Sequence, residues 1–351
     1  MGHDSPDASG FVLFKLHDYR INAFCPGDRR SGELLDRLHA SPGRAARFAS
    51  TLLRAAPPSG RVLAAIRPVP KACREGYQEL LKALGEFLDH DVVAYASTLN
   101  EDVSWSITAV QQRSQTVFVT ARTYGRQALA DQARFLEDLH RHRPAGIVAP
   151  EAFAIGESVG RWTMLALTDV ASVGGNGEHS IDELLPFLAE LRALSEREVG
   201  YTEAIAALDA CFGEGTDGAR DLLARAVEGS PDARLTLCRA HGDFVPWNMQ
   251  LRGDQLWLWD WNRAMDSAPW PFDAIHYCFQ SRRHRDGETP EQALRGTEED
   301  LARLAERLGV SGSETEVRRT LMVYTAYRLA NEHRIENVGD DTRWLAAHVG
   351  K

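Results

Sequence analysis

The strongest constraint on this chain is a short run in its C-terminal third, His241-Gly242-Asp243-Phe244-Val245-Pro246-Trp247-Asn248, with Asp260 following in Leu258-Trp259-Asp260-Trp261. Residues 249–252 and 255–259 read as two short strands around a Gly253-Asp254 break, so the chain reverses and returns Asp260 toward Asn248. A carboxylate, an amide oxygen and a second carboxylate are gathered by one loop and one hairpin. That is a metal-phosphate site in outline.

The residue types fit one chemistry. Phosphoryl transfer needs a carboxylate to orient a hydroxyl and accept its proton, and hard oxygen ligands to hold a divalent metal over the phosphates. Magnesium keeps much of its water, so one carboxylate and one amide oxygen, completed by phosphate, are a sufficient protein share. Asp243 is the candidate base, and Asn248 and Asp260 are the candidate metal ligands. Taken singly, an Asp beside Gly reads as a turn residue, and a buried His or Asn as a satisfied polar group. The three together argue for a site.

This segment resembles the catalytic loop of the aminoglycoside phosphotransferase and choline kinase-like superfamily, relatives of the protein kinases. That loop reads His-Gly-Asp, four residues, Asn, then a hairpin and a metal-binding Asp, matched here by His241, Gly242, Asp243, Asn248 and Asp260. The family pattern continues to a Pro and a structural Asp, matched by Pro271 and Asp273. The resemblance implies an α+β, bilobal protein-kinase-like fold, with an elaborated N-terminal nucleotide-binding lobe over 1–168 and a mainly helical catalytic and acceptor-binding lobe over 169–351. It also implies ATP with Mg2+, GTP being possible, and a structural role for Asp273 under the catalytic loop. His241 is a scaffold candidate and not a metal ligand.

The nucleotide clamp departs from that pattern. Family members carry a phosphate-contacting Lys on a strand and a Glu on the next helix. The corresponding strand, Val117-Phe118-Val119-Thr120-Ala121-Arg122, has no Lys, and Gln132 stands nearest the Glu position. Arg122 is the candidate cofactor-binding cation, although its fork differs from Lys in reach and geometry, and a solvent-exposed strand-end charge is the competing reading. Lys71, Arg74 and Arg113 are alternative suppliers. No Gly-rich loop precedes the strand pair: Ser97 to Asp102 offers hydroxyl and backbone donors beside acidic residues, and Val173 to Gly177 reads as a flexible turn.

Pattern and breaker residues set the remaining elements. Strands are expected at 11–17, 61–66, 104–112, 115–121, 151–155, 161–167 and 234–238, and helices at 31–40, 43–55, 75–88, 128–142, 181–194, 201–212, 218–228, 291–308 and 314–332, with a short last helix around Trp344. The interlobe connection falls near residues 166–169. Five of the eight tryptophans gather around the metal-site segment; Trp257 and Trp259 read as core, Trp247 and Trp261 as possible pocket residues. Arg282 to Gly287 reads as a polar loop, either steering an anionic substrate or simply solvated. Asp266 reads as a surface or turn residue, with an acceptor contact as the alternative. Tyr324, Tyr327 and Glu332 are candidate acceptor contacts on a helix whose spacing makes core or lobe contacts the default reading.

A net charge of -10 gives no electrostatic case for nucleic acid or an anionic membrane. The five cysteines are widely spaced and form no CxxC pair, which points to reduced thiols. With no signal-peptide pattern and no apolar stretch of membrane-spanning length, a cytoplasmic location is expected. The expected activity is transfer of a nucleotide's terminal phosphoryl group to a hydroxyl of a small metabolite, sugar or antibiotic. Two alternatives stay open. One is a peptide Ser/Thr kinase of natural-product maturation, with a peptide or partner protein engaging the N-terminal region; the other is a pseudokinase-like binding or scaffold protein.

Overall fold

The computed structural model describes residues 12–17, 20–24, 34, 69, 71–89, 92–100, 104–112, 115–123, 126–170, 179–212, 217–228, 234–335 and 339–349. The helices expected at 31–40 and 43–55 and the strand at 61–66 lie outside these residues, as do Arg113 and the turn at 173–177. The chain divides into two compact units, Met1–Asp138 with Ala149–Gly175, and Leu139–Val148 with Asn176–Lys351.

The first unit is built on a seven-stranded sheet. Its strands are β1 (Val12–His17), β2 (Arg20–Phe24), β3 (Val92–Leu99), β4 (Trp105–Gln112), β5 (Thr116–Arg122), β7 (Ala152–Val159) and β8 (Trp162–Thr168), in the order β1-β2-β3-β4-β5-β8-β7 with every neighbouring pair antiparallel. Helix α1 (Lys71–Phe87) buries Cys73, Gly76, Tyr77, Leu80, Ala83 and Leu84, a helical spacing that makes one apolar stripe. The stripe packs with Val110, Val117, Val119, Trp162 and Met164 from the sheet. Each large apolar side chain fully buried there is worth about 1.5–3 kcal/mol relative to exposure. Helix α2 (Arg126–His142) follows β5.

Strands β2 and β3 were not legible from pattern. In β3 the cause is visible: Ser97 and Thr98 are buried, and Ser97 Oγ lies 3.0 Å from Tyr77 Oη and 2.9 Å from Thr108 Oγ1. Hydroxyls that satisfy one another inside a sheet look like loop residues in a sequence. This also corrects the reading of Ser97 and Thr98 as phosphate donors on a loop.

The second unit holds two three-stranded sheets. In one, β10 (Arg234–Ala240) lies between β9 (Arg197–Gly200) and β13 (Met265–Pro269). In the other, the hairpin β11 (Met249–Arg252) and β12 (Gln255–Leu258) is extended by β6 (Ile147–Val148), parallel to β12. The helices are α3 (Ile181–Ala193), α4 (Tyr201–Phe212), α5 (Asp217–Ala226), α6 (Phe272–Gln280), α7 (Pro290–Leu308), α8 (Glu314–Ile335) and α9 (Asp340–His348). Capping boxes set two starts: Ser180 with Glu183 ahead of α3, and Thr289 with Gln292 ahead of α7. Gly309, at φ +66°, closes α7 in the left-handed conformation that glycine adopts without steric cost. The expected polar loop after Tyr277 is instead a π-helical turn, Ser281–Arg285.

Candidate active site

Strand β10 delivers the chain into the catalytic segment, and α6 receives it. The Asp273 carboxylate, in the first turn of α6, accepts the backbone N–H of His241 at 2.7 Å and of Gly242 at 3.0 Å. One buried side chain thus satisfies two loop donors that no strand pairs. Burial pushes the Asp273 carboxyl up to about 7, against the pull of those N–H groups, and the neighbouring Asp243 charge adds to the rise.

Gly242 is required by geometry. Its φ is +81°, and a Cβ there would lie 1.9 Å from the carbonyl oxygen of Arg263. No side chain fits. His241 is wholly buried, with its ring edge-on to Trp261 at 4.5 Å. Its Nδ1 accepts the N–H of Asp243 at 3.2 Å, so Nε2 carries the hydrogen and donates to the Trp259 carbonyl at 2.8 Å. Burial lowers this imidazole to about 4, although Asp243 and the Trp259 carbonyl pull the other way. A neutral ring with both nitrogens engaged is a strut between the loop and the hairpin.

The Asp243 side chain keeps 24% of its exposure while its carboxylate is held on both oxygens. Asn248 Nδ2 lies 3.0 Å from Asp243 Oδ2 and 3.0 Å from the Asp243 carbonyl; His276 Nε2 lies 3.1 Å from Oδ1. Burial alone would raise this carboxyl. The His276 hydrogen bond and the positive field of Arg263 outweigh it and hold the group well below the usual carboxylate range. Asp243 is therefore an ionised acceptor of fixed orientation.

Hairpin pairing runs Met249 to Leu258 through Arg252 to Gln255, and the Trp259 N–H donates to the Asn248 carbonyl at 3.0 Å. Asp260 comes next, at φ 64° and ψ 54°. A left-handed non-glycine residue stores strain of about 1 kcal/mol or more. Such strain is common where a side chain must be aimed.

A magnesium ion fits what these residues offer. With Asn248 Nδ2 committed to Asp243, its amide oxygen is the atom left for a cation, and the Asp260 carboxylate, next but one after the hairpin strand β12, would be the second hard oxygen. Among the described residues, no group of three or more His, Cys, Asp or Glu side chains is placed to hold a metal. The protein's share would thus be the amide and one carboxylate, with phosphate and water completing the shell.

Other sequence expectations change. Trp261 is fully buried and donates its Nε1–H to the Leu258 carbonyl at 2.9 Å, so it packs the loop and lines no open pocket. Trp247 is half-buried and edge-on to His284 at 5.9 Å. Trp257 and Trp259, expected in the core, are half-buried; Leu256 and Leu258 fill the inner face of β12, and the Arg252 guanidinium lies 4.2 Å from the Trp257 ring centre. Arg282 pairs with Glu288 and Asp300, and Arg283 with Asp341, so neither is a simple solvated charge. Asp266 is exposed and lies 3.4 Å from Arg239.

Tyr324, Tyr327 and Glu332 are buried. Tyr327 donates to the Ala204 carbonyl at 3.2 Å, and the other two belong to a chain behind Asp243. His276 is the residue the sequence reading missed. It sits three positions after Asp273, on the same face of α6, and that i, i+3 spacing was the available signal.

In the first unit, Arg122 ends β5 opposite Trp105 and Thr163, and is only 3% exposed. This removes the solvent-exposed strand-end reading. Gln132, on α2, is also buried. Lys71 is exposed and pairs with Glu75, and Arg74 is exposed, so both are surface charges. No helix among the described residues is long and apolar enough to cross a membrane.

The described elements have the fold of a solved aminoglycoside phosphotransferase. Aminoglycoside phosphotransferase APH(4)-Ia aligns with a TM-score of 0.50 at 15% identity, over 78% of this chain and 97% of its own. A thermostable mutant of that protein, in a ternary complex with ADP and hygromycin B, aligns at 0.49 and 15% identity, over 76% and 95%. A putative fructosamine-3-kinase from Haemophilus somnus 129PT aligns at 0.44 and 14%, over 78% and 99%. The fold assignment rests on the first of these. No family model matches the sequence, and no curated protein sequence matches it.

Proposed function

We propose that this chain is a magnesium-dependent phosphotransferase that moves the terminal phosphoryl group of ATP, or of GTP, onto a hydroxyl of a small metabolite, sugar or antibiotic. The observation that carries the reading is the Asp243 carboxylate, partly open and held on both oxygens by Asn248 and His276. In this reading Asp243 orients the acceptor hydroxyl and takes its proton. Asn248 and Asp260 hold the metal, and Arg122 contacts phosphate in place of the family lysine. Phosphoryl transfer draws its acceleration mainly from positioning and electrostatics, which is what a rigid, charged loop supplies.

Calorimetry with MgATP and MgGTP on the native protein and on Asp260→Ala tests the reading. Saturable binding that needs magnesium and is lost in the variant supports it; native protein that binds neither nucleotide at millimolar concentration overturns it. Once an acceptor is found, Asp243→Asn lowers turnover by about 10²–10⁴-fold. The replacement of Lys and Glu by Arg122 and Gln132 favours a second reading, a pseudokinase-like binder. Nucleotide binding without transfer across a wide set of hydroxyl acceptors, peptides included, would move the balance to it.

A further inference from the structure

Behind Asp243 runs a chain of buried side chains whose direction follows from donor and acceptor chemistry. Arginine only donates, so Arg328 Nη1 gives a hydrogen to Tyr324 Oη at 2.9 Å. The Tyr324 hydroxyl has one hydrogen of its own, and His276 Nδ1 lies 3.0 Å away. Donation there makes Nδ1 an acceptor and puts the imidazole hydrogen on Nε2, the nitrogen 3.1 Å from Asp243 Oδ1. At the far end, Glu332 Oε1 accepts from Arg328 Nε at 3.0 Å and from Thr342 Oγ1 at 2.7 Å, and Glu332 Oε2 accepts the Gly339 N–H at 2.8 Å. Every hydrogen between Arg328 and Asp243 points toward the carboxylate.

Burial and charge support this order. His276 keeps 3% of its side-chain exposure, and Tyr324 is 1% exposed. Burial disfavours the imidazolium, and the positive charges of Arg328 and Arg263 add to that effect, while Asp243 opposes it. The ring faces Asp243 and Tyr324 at its nitrogens, and its plane stacks on Phe272 with 6.0 Å between centres. A neutral ring carrying its hydrogen on Nε2 satisfies all of these contacts; the other tautomer would set the Nε2 lone pair against Asp243 Oδ1 and turn the Tyr324 hydrogen away from the ring.

We propose that His276 is a positioning residue for Asp243: the Glu332–Arg328–Tyr324 chain locks its tautomer, and its Nε2–H fixes the plane of the carboxylate together with Asn248. Each carboxylate oxygen then keeps a lone pair for substrate in a set direction. The kinetic consequence rests on the phosphotransferase reading, whereas the tautomer and the carboxylate orientation do not.

The test has an arm that needs no activity. Nitrogen-15 spectra of the histidine-labelled full chain are expected to show His276 as the Nε2–H tautomer near neutral pH, with the Nδ1 signal of Tyr324→Phe moved to that of a bare ring nitrogen that accepts no hydrogen bond. Crystal structures are expected to keep the Asp243 carboxylate in place in His276→Gln, whose amide nitrogen can stand where Nε2 stood, and to show it rotated in His276→Met. In the second arm, with an acceptor in hand, His276→Met lowers kcat about ten- to a hundredfold while the KM for MgATP stays unchanged, and His276→Gln recovers most of the loss. A native Nδ1–H tautomer or an imidazolium, or a carboxylate unmoved in His276→Met, would overturn the proposal. If His276→Met does not fold, Tyr324→Phe and His276→Gln decide it. A native protein that turns over no nucleotide would sink the phosphotransferase reading and leave the first arm to decide this one.

Discussion

The catalytic segment of the second unit and the β5–α2 segment of the first carry their chemistry in opposite ways. From His241 to Asp273, specificity is written in short-range rules: a glycine that alone fits its backbone, a histidine whose two nitrogens have defined partners, and a carboxylate that collects two backbone N–H groups. Along β5 and α2, the residues at the expected Lys and Glu positions are Arg122 and Gln132, both buried, and no short motif declares a role for either. A loop that must present backbone atoms tolerates few sequences. A cation and its neutral neighbour on regular elements can be exchanged with little local cost, so their function is harder to read.

The backbone constraint of the catalytic segment is most severe at Gly242. Gly242→Ala would set a Cβ against the Arg263 carbonyl oxygen, at a φ that L-residues adopt at a cost. Overpacking and left-handed strain together are expected to cost about 3 kcal/mol or more. Urea unfolding of the variant measures it. A loss below about 1 kcal/mol would mean that the loop has room to shift, and that its geometry is less constrained than its sequence.

Asp273 gives a smaller effect with a defined pH signature. Asp273→Asn keeps one acceptor for the two loop N–H groups and turns an NH2 toward the other, a loss of about 1–3 kcal/mol for a buried unsatisfied donor. Because burial raises the folded-state pKa to about 7, above the unfolded value of about 3.9, the folded state holds this proton more tightly. Its contribution to stability is full below about pH 4 and declines as pH rises toward 7. The stability gap between native protein and variant should therefore narrow across that window in urea titrations. A widening gap would show that the two N–H groups win over burial and keep Asp273 ionised.

How legible the molecule is from sequence follows the same division. The placement of His241, Asp243, Asn248 and Asp260 along one loop and hairpin was readable because the spacing is itself the geometry. Helices such as α1 and α7 were readable because burial imposes a period. His276 was not singled out, since its partners Asp243 and Tyr324 lie 33 and 48 positions away and only the tertiary fold brings them together. Helical spacing makes core contacts the default for Tyr324 and Glu332, and both are buried; what spacing does not carry is their hydrogen-bonded path through Arg328 and His276 to Asp243. Strand β3 escaped because its buried face contains hydroxyls that satisfy one another. A charge at a strand end looks exposed in a sequence, and Arg122 is not.

Substitutions at Arg122 are expected to have a smaller effect, read in nucleotide affinity. If its guanidinium contacts nucleotide phosphate, Arg122→Met removes a charge-assisted hydrogen bond and weakens MgATP binding by about tenfold, near 1.4 kcal/mol. Arg122→Lys, which restores the charge without the fork, should recover part of that loss. The same substitutions also disturb packing at a buried position, so the melting temperature of each variant must be read beside its affinity. A drop in stability with unchanged nucleotide affinity would assign Arg122 to the sheet alone. The first unit would then bind phosphate by some other group, and the departure from the Lys and Glu pair would be a real loss. Weakened affinity in Met, partly restored in Lys at comparable stability, would instead mark the arginine as a substitute that keeps the charge while changing the geometry.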